Sequence, residues 1–293
     1  MDLIDKTIAY QYSLSCPTRK IDKTHLTTTK DDCYLSLNNN ALVEVIYNLI
    51  IEYSFDEFDL IDKNYDNLMP IALLTKLKYN ENATQQSKIS YGFFGEVLLY
   101  ALLITKYNAN TLISRGYFYN PLENSETKGY DSYHLIESEK QVELWFGEVK
   151  FRASFNDGVK SAIQGLEKAI SDTYLKTNIL AMVNHKDNDK LKGSKIKTII
   201  DSWMNDSSIS IINELKKYNM KLIYPILIVY DDSELDYDTK IINAIKHINE
   251  TYKSIVSTLT IEFEIFFIFL PLSGTTSLKK EVIEWIELKK PLM

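Results

Sequence analysis

The chain has 293 residues, 45% of them hydrophobic and 25% charged, a balance that excludes a disordered or fibrous protein and leaves material for one large core. Its 40 acidic and 33 basic residues give a formal charge of −7, which excludes a protein whose whole surface coats nucleic acid or anionic membrane but leaves room for a local basic groove. The longest apolar runs, 222–230 and 265–272, are far short of the roughly 20 residues of a membrane helix. Two cysteines, Cys16 and Cys33, and four scattered histidines lack the close spacing of a zinc site. The start, Met1-Asp2-Leu3-Ile4-Asp5-Lys6, is unlike a secretory signal. The expectation is a cytoplasmic protein with reduced thiols and no membrane partner.

Residues 1–39 are polar and aperiodic, with short strand candidates at 8–12 and 33–37. Leu42, Val43, Val45, Ile46, Leu49 and Ile50 recur at helical spacing over 40–53, and a further apolar segment covers 68–77. The acidic, aromatic run Phe55 to Asp62 between them has the composition of either a solvated loop or a docking patch. From residue 88 the pattern is regular. A helix is predicted over 90–107, with Glu96 its only acid, then a strand over 111–119 that ends at Asn120-Pro121. Strands over 128–136 and 141–151 flank the turn 137–140, and a helix comes next over 157–174. A lysine-rich stretch, 186–197, precedes a helix through Trp203, a strand over 222–230, a helix over 239–252, a strand over 259–270 and a helix over 277–288. This order describes an α/β protein with a mixed central sheet flanked by helices, preceded by an N-terminal α+β extension, with residues 1–80 set apart from 81–293.

The sharpest chemical signal is Gly129-Tyr130-Asp131 followed by Glu148-Val149-Lys150. Strand residues two apart face the same side, so Glu148 and Lys150 point together while Val149 points to the opposite layer. If the two strands pair antiparallel, Asp131 comes near them. Two carboxylates are hard oxygen ligands suited to Mg²⁺ or Mn²⁺, and a lysine beside them can orient a water for attack on phosphorus. Large apolar neighbours, Trp145, Phe146, Val149 and Phe151, predict that this strand is mostly buried, where charge without purpose is costly. The bland alternative is an ordinary cross-strand cluster on a surface hairpin. Glu96 is either a further metal ligand or an exposed helix residue, and Gln164 either supports Lys150 and the substrate phosphate or is incidental. Arg115, Lys128, Arg152 and Lys160 are candidate DNA phosphate contacts. Asp231-Asp232 is a rival carboxylate pair, although such pairs at strand ends usually cap a turn or helix next along the chain.

Helix-borne Glu96, Asp131, the E-x-K strand and Gln164 on the next helix together resemble the PD-(D/E)xK nuclease core, a restriction-endonuclease-like fold. More narrowly, Tyr91-Gly92-Phe93-Phe94-Gly95-Glu96, Ser114-Arg115, Lys128-Gly129-Tyr130-Asp131 and Trp145-Phe146-Gly147-Glu148-Val149-Lys150-Phe151 resemble the HamA family, nuclease subunits of the Hachiman anti-phage system, over about residues 88–293. Gly129-Tyr130 replaces the Pro that precedes the Asp in the broader pattern, which removes no ligand. The resemblance implies a Mg²⁺- or Mn²⁺-dependent DNA endonuclease with Asp131, Glu148 and Glu96 at the metal, Lys150 at the water and Gln164 in support. It also implies a helicase partner (HamB-like), and this chain has no G-x-x-x-x-G-K-[ST] loop with which to drive such a step itself. The alternative from another class is a noncatalytic scaffold that binds nucleic acid or a partner.

Overall fold

The computed structural model describes residues 7–13, 19–26, 40–56, 60, 64–120, 125–126, 129–185, 191–231, 243, 246–248, 250–251, 255–290 and 292. The first half contains β1 Thr7–Ser13, β2 Arg19–Leu26, α1 Asn40–Ser54, α2 Tyr65–Thr75, α3 Gln85–Ile89, α4 Phe93–Tyr107, β3 Asn110–Thr111, a 3-10 turn Arg115–Phe118, β4 Tyr119–Asn120 and β5 Ser125–Glu126. The second contains β6 His134–Glu137, β7 Val142–Trp145, β8 Glu148–Phe151, α5 Phe155–Ala169, α6 Asp172–Ala181, α7 Lys195–Asn205, α8 Ile211–Lys217, β9 Met220–Asp231, β10 Glu262–Leu272 and α9 Thr275–Glu287.

The fold is α/β with a mixed central sheet flanked by helices, as the sequence predicts. The sheet runs β1-β2-β10-β9-β7-β6-β3, with β8 also paired to β9. Around β9 and β10 the pairing is parallel, and toward β1, β6 and β3 it is antiparallel. Both faces of β9 are covered, which explains its uninterrupted apolar run. Ile223, Leu227 and Val229 join a layer built from α1, α2, α4 and α9. Leu222, Tyr224, Ile226 and Ile228 join the opposite layer, which contains α5, α6, α7 and α8.

Several boundaries differ from the sequence expectation. The strand expected over 111–119 is the two-residue β3 followed by the 3-10 turn. Its β propensity loses to side-chain bonding, because Ser114 is held by Asp56 rather than by a neighbouring strand. The helix expected over 157–174 breaks at Ile170, where Ser171 caps α6 by accepting from the Tyr174 N–H at 3.2 Å. β2 and α8 are additions to the expected elements, while the 33–37 strand and most of the 239–252 helix lie outside the described residues. Residues 85–107 are long and apolar enough to cross a membrane by composition, contrary to the run-length expectation, but 67% of the apolar 18-residue window within them is buried inside the protein.

β7 and β8 are two pieces of one strand. Val142 faces Met220 and Trp145 faces Ile223; then Glu148 faces Ile226 and Phe151 faces Val229, so the same offset holds on both sides of the break. The Phe146 N–H donates to the Ile223 carbonyl and the Arg152 N–H to the Val229 carbonyl, so odd-numbered residues of β9 turn their backbone toward this strand. The odd residue at the break is Pro225, which has no N–H to give. Opposite it, a Cβ on Gly147 would lie 2.8 Å from Ser132 Oγ and 2.9 Å from the Pro225 carbonyl oxygen, so only glycine fits. Gly147→Ala is therefore expected to cost about 1–3 kcal/mol of stability, measured by urea unfolding.

Candidate active site

The β6–β7 hairpin closes through Ser138 and Gln141, and its register pairs His134 with Trp145. The pairing continues past both strand ends. The Gly147 N–H donates to the Ser132 carbonyl at 3.3 Å, and the Asp131 N–H donates to the Gly147 carbonyl at 2.8 Å. Gly147 thus bonds two consecutive residues, a bulge-like departure from the one-to-one register that brings Asp131 to the edge of β8. The Val149 N–H points away from β9 to the edge that β6 leaves open, and Asp131 Oδ2 accepts it at 2.8 Å. The conditional expectation that antiparallel pairing would carry Asp131 to the E-x-K strand is realised.

Glu148 and Lys150 form an ion pair, with side chains 22% and 20% exposed. All four residues of β8 are half-buried rather than buried as expected, because one edge of this strand lies open. Tyr224, on the paired strand, donates to Glu148 from 3.5 Å. Val149 and Phe151 pack on the opposite layer, against α4 and its neighbours.

Glu96 lies buried in the first turn of α4 and accepts a hydrogen bond from the Tyr53 hydroxyl of α1. It is not an exposed helix residue. Arg115 is also buried, in the 3-10 turn, so its charge serves the interior rather than a surface groove. These groups act on one another. Burial, then the charges of Glu148 and Glu96, push the Asp131 carboxyl well above its usual range, while Arg115 and the Val149 N–H oppose the shift. Tyr174, partly buried on α6, is pushed up to about 12 by burial and by Glu148 and Asp131. The surrounding wall is aromatic: Tyr133 donates to Asn178 Oδ1 at 2.6 Å, and Tyr130 donates to the Ala169 carbonyl at 2.8 Å.

Other expected residues stand apart. Gln164 is exposed on α5 and its side chain makes no hydrogen bond among the described residues, so it supports neither Lys150 nor a carboxylate here. Arg152 and Lys160 are exposed just beyond β8 and on α5, as surface contacts require, and Lys128 lies outside the described residues. Asp231 caps the start of α9 by accepting from the Thr275 N–H, and Asp232 is outside the described residues. His134 is a buried structural residue with Nδ1 2.8 Å from the Ala109 carbonyl oxygen. Among the described residues no three His, Cys, Asp or Glu side chains converge at metal-ligand spacing. Sequence reasoning missed Tyr53, Tyr174 and Tyr224, since in a chain with 20 tyrosines none carries a local signal.

The HamA family model matches residues 2–286. The chain belongs to the HamA family. Neither the curated proteins nor the solved structures contain a match. Membership makes it a Hachiman anti-phage defence protein, and the match takes in the N-terminal region that the motif resemblance, begun near residue 88, had left aside. In this HamA-family chain the N-terminal region supplies Tyr53, so the longer match agrees with the make-up of the site.

The Asp131 shift has a defined sign. A carboxyl whose proton affinity is raised by folding favours the folded state while protonated, below the ordinary value of 3.8, and that contribution is lost as pH rises through the raised value. Asp131→Asn should melt above the wild type at about pH 7.5 in a chelator, with the gap closing as pH falls toward about 4, measured by thermal unfolding across that range.

Proposed function

We propose that this HamA-family protein is a metal-dependent DNA endonuclease, the effector of a Hachiman complex in which a HamB-like helicase delivers the substrate. The observation that carries the reading is that the Asp131 carboxylate meets the E-x-K strand itself, accepting the Val149 N–H at 2.8 Å, with Lys150 on the same face as Glu148. The donor set fits a hard divalent cation. Asp131 is crowded by two further carboxylates and offset by one arginine, so added positive charge there is favourable. Asp131 and Glu148 would hold Mg²⁺ or Mn²⁺, with Glu96 adjoining.

When bound, the metal supplies Lewis-acid polarisation of the phosphate and acidifies a water at neutral pH. The chain's own residues do the rest. Lys150, held beside Glu148, orients the water and meets the charge that develops on the phosphoryl oxygens. Arg115 tempers the repulsion among the carboxylates from its buried turn, a role in place of the phosphate contact expected of it. Arg152 and Lys160 meet the DNA backbone. The net charge of −7 makes unaided DNA binding weak, in keeping with delivery by a partner. The docking patch expected at Phe55 to Asp62 is not supported by its described members: Phe55, Asp56 and Leu60 are buried.

The rival reading, a scaffold that keeps the fold without the chemistry, draws on the lack of three converging ligands among the described residues. One experiment separates them. Wild type with Mg²⁺ and the helicase should cleave plasmid DNA, and Glu148→Ala with Lys150→Ala should not, with an unchanged circular dichroism spectrum. Equal cleavage by the folded double variant would overturn the nuclease reading. In a Mn²⁺ titration by calorimetry, Asp131→Asn should bind at least about tenfold more weakly than wild type.

A further inference from the structure

Every motif that suggests a nuclease lies after residue 90, yet the group that holds Glu96 comes from residue 53. Tyr53 sits in the last turn of α1, buried, with its hydroxyl donating to Glu96 Oε2 and its ring edge-on to Tyr100, 5.9 Å away on the same helix as Glu96. Tyr100 in turn meets the His134 ring edge-on at 5.5 Å, which links it to the strand that comes after Asp131. The neighbouring residues of α1 perform a second task. A Cβ on Gly116 would lie 2.5 Å from the Ser54 carbonyl oxygen, so the end of α1 and the turn carrying Arg115 meet backbone to backbone. Ser114, immediately before Arg115, places its hydroxyl 2.9 Å from the Phe55 carbonyl oxygen and 2.7 Å from Asp56 Oδ1, and its N–H donates to the same carboxylate at 3.2 Å. Ser54, Asp56 and Ser114 are all buried.

Four consecutive residues, Tyr53 to Asp56, therefore hold the Glu96 side chain and the backbone turn that carries Arg115, the two charged residues that act on Asp131 from outside the hairpin. We propose that Tyr53 is a positioning residue of the nuclease site, its hydroxyl orienting Glu96 toward Asp131 and Glu148 while the Ser114–Asp56 clamp seats Arg115. This rests on the nuclease reading above. The physical reason is general: a carboxylate on a helix keeps several rotamers, and a buried hydrogen bond from a rigid aromatic ring selects one of them. A packing role alone needs the ring of Tyr53 but not its hydroxyl.

The test uses the full chain with its helicase partner for turnover and the full chain alone for Mn²⁺ titration. Tyr53→Phe is expected to lower kcat roughly tenfold with KM for DNA unchanged, and to weaken Mn²⁺ binding by a similar factor. In the Glu96→Ala background the same substitution should add nothing, since its effect passes through Glu96. Wild-type turnover and Mn²⁺ affinity in Tyr53→Phe, or an equal loss with and without Glu96, would overturn the proposal. If Tyr53→Phe does not fold, Ser114→Ala takes its place, with the same loss expected through Arg115 and unchanged turnover and affinity counting against the clamp. Glu148→Ala with Lys150→Ala serves as the reference. If that variant is inactive and Tyr53→Phe is not impaired, only the positioning role falls; if it cleaves like wild type, the nuclease reading falls and the Mn²⁺ titration alone decides on Tyr53.

Discussion

Gly147 exchanges backbone hydrogen bonds with the Asp131-Ser132 step, and that exchange sets where each acidic group of the hairpin lies. It carries backbone bonding beyond the point where regular strand ends, so the carboxylate of Asp131 arrives beside β8. It also leaves the Val149 N–H facing an empty edge, which Asp131 then fills. An unpaired backbone donor in a partly buried strand costs free energy comparable to a lost hydrogen bond. The acid thus serves the sheet as well as the chemistry.

The resulting electrostatics run against stability. Asp131, Glu148 and Glu96 share one region with Arg115 and Lys150, and the balance still leaves the Asp131 carboxyl reluctant to ionise. Proteins tolerate such crowding where a ligand or a reaction uses it. The rest of the molecule offsets the cost with two apolar layers on either side of β9 and β10. Buried residues of α1 and α2, among them Leu42, Ile50, Leu68 and Leu73, lie within one of those layers together with α4, α9 and the sheet, so these helices are continuous with the core that supports the site.

Periodicity is the channel through which the sequence discloses this fold. Helix α1 and the long strands β9 and β10 are legible from apolar spacing, and E-x-K is legible because parity in a strand is fixed by geometry. Asp131 is legible only as a conditional, since its approach depends on a hairpin. The pattern that puts Val159, Ala162, Ile163 and Leu166 inward on α5 already turns Gln164 outward, and the motif order masks this. Tyr53 and Glu96 are 43 residues apart and Tyr53 belongs to no local signature, so their bond is beyond reach of any reading by spacing. Arg115 misleads for a related reason: charge suggests surface, while its burial depends on Gly116 and Ser114 meeting a distant helix end.

The common offset of β7 and β8 along β9 bears on how this family can vary in length. Two residues, Phe146 and Gly147, separate the paired segments, and they span two residues of β9. Gain or loss of a single residue there would rotate Glu148 and Lys150 into the layer occupied by Leu227 and Val229 and bring Val149 out in their place. Burying that pair among aliphatic side chains would cost several kcal/mol. Insertions between Trp145 and Glu148 should therefore survive only in pairs, whereas the exposed turn at residues 138–141 can lengthen by any number.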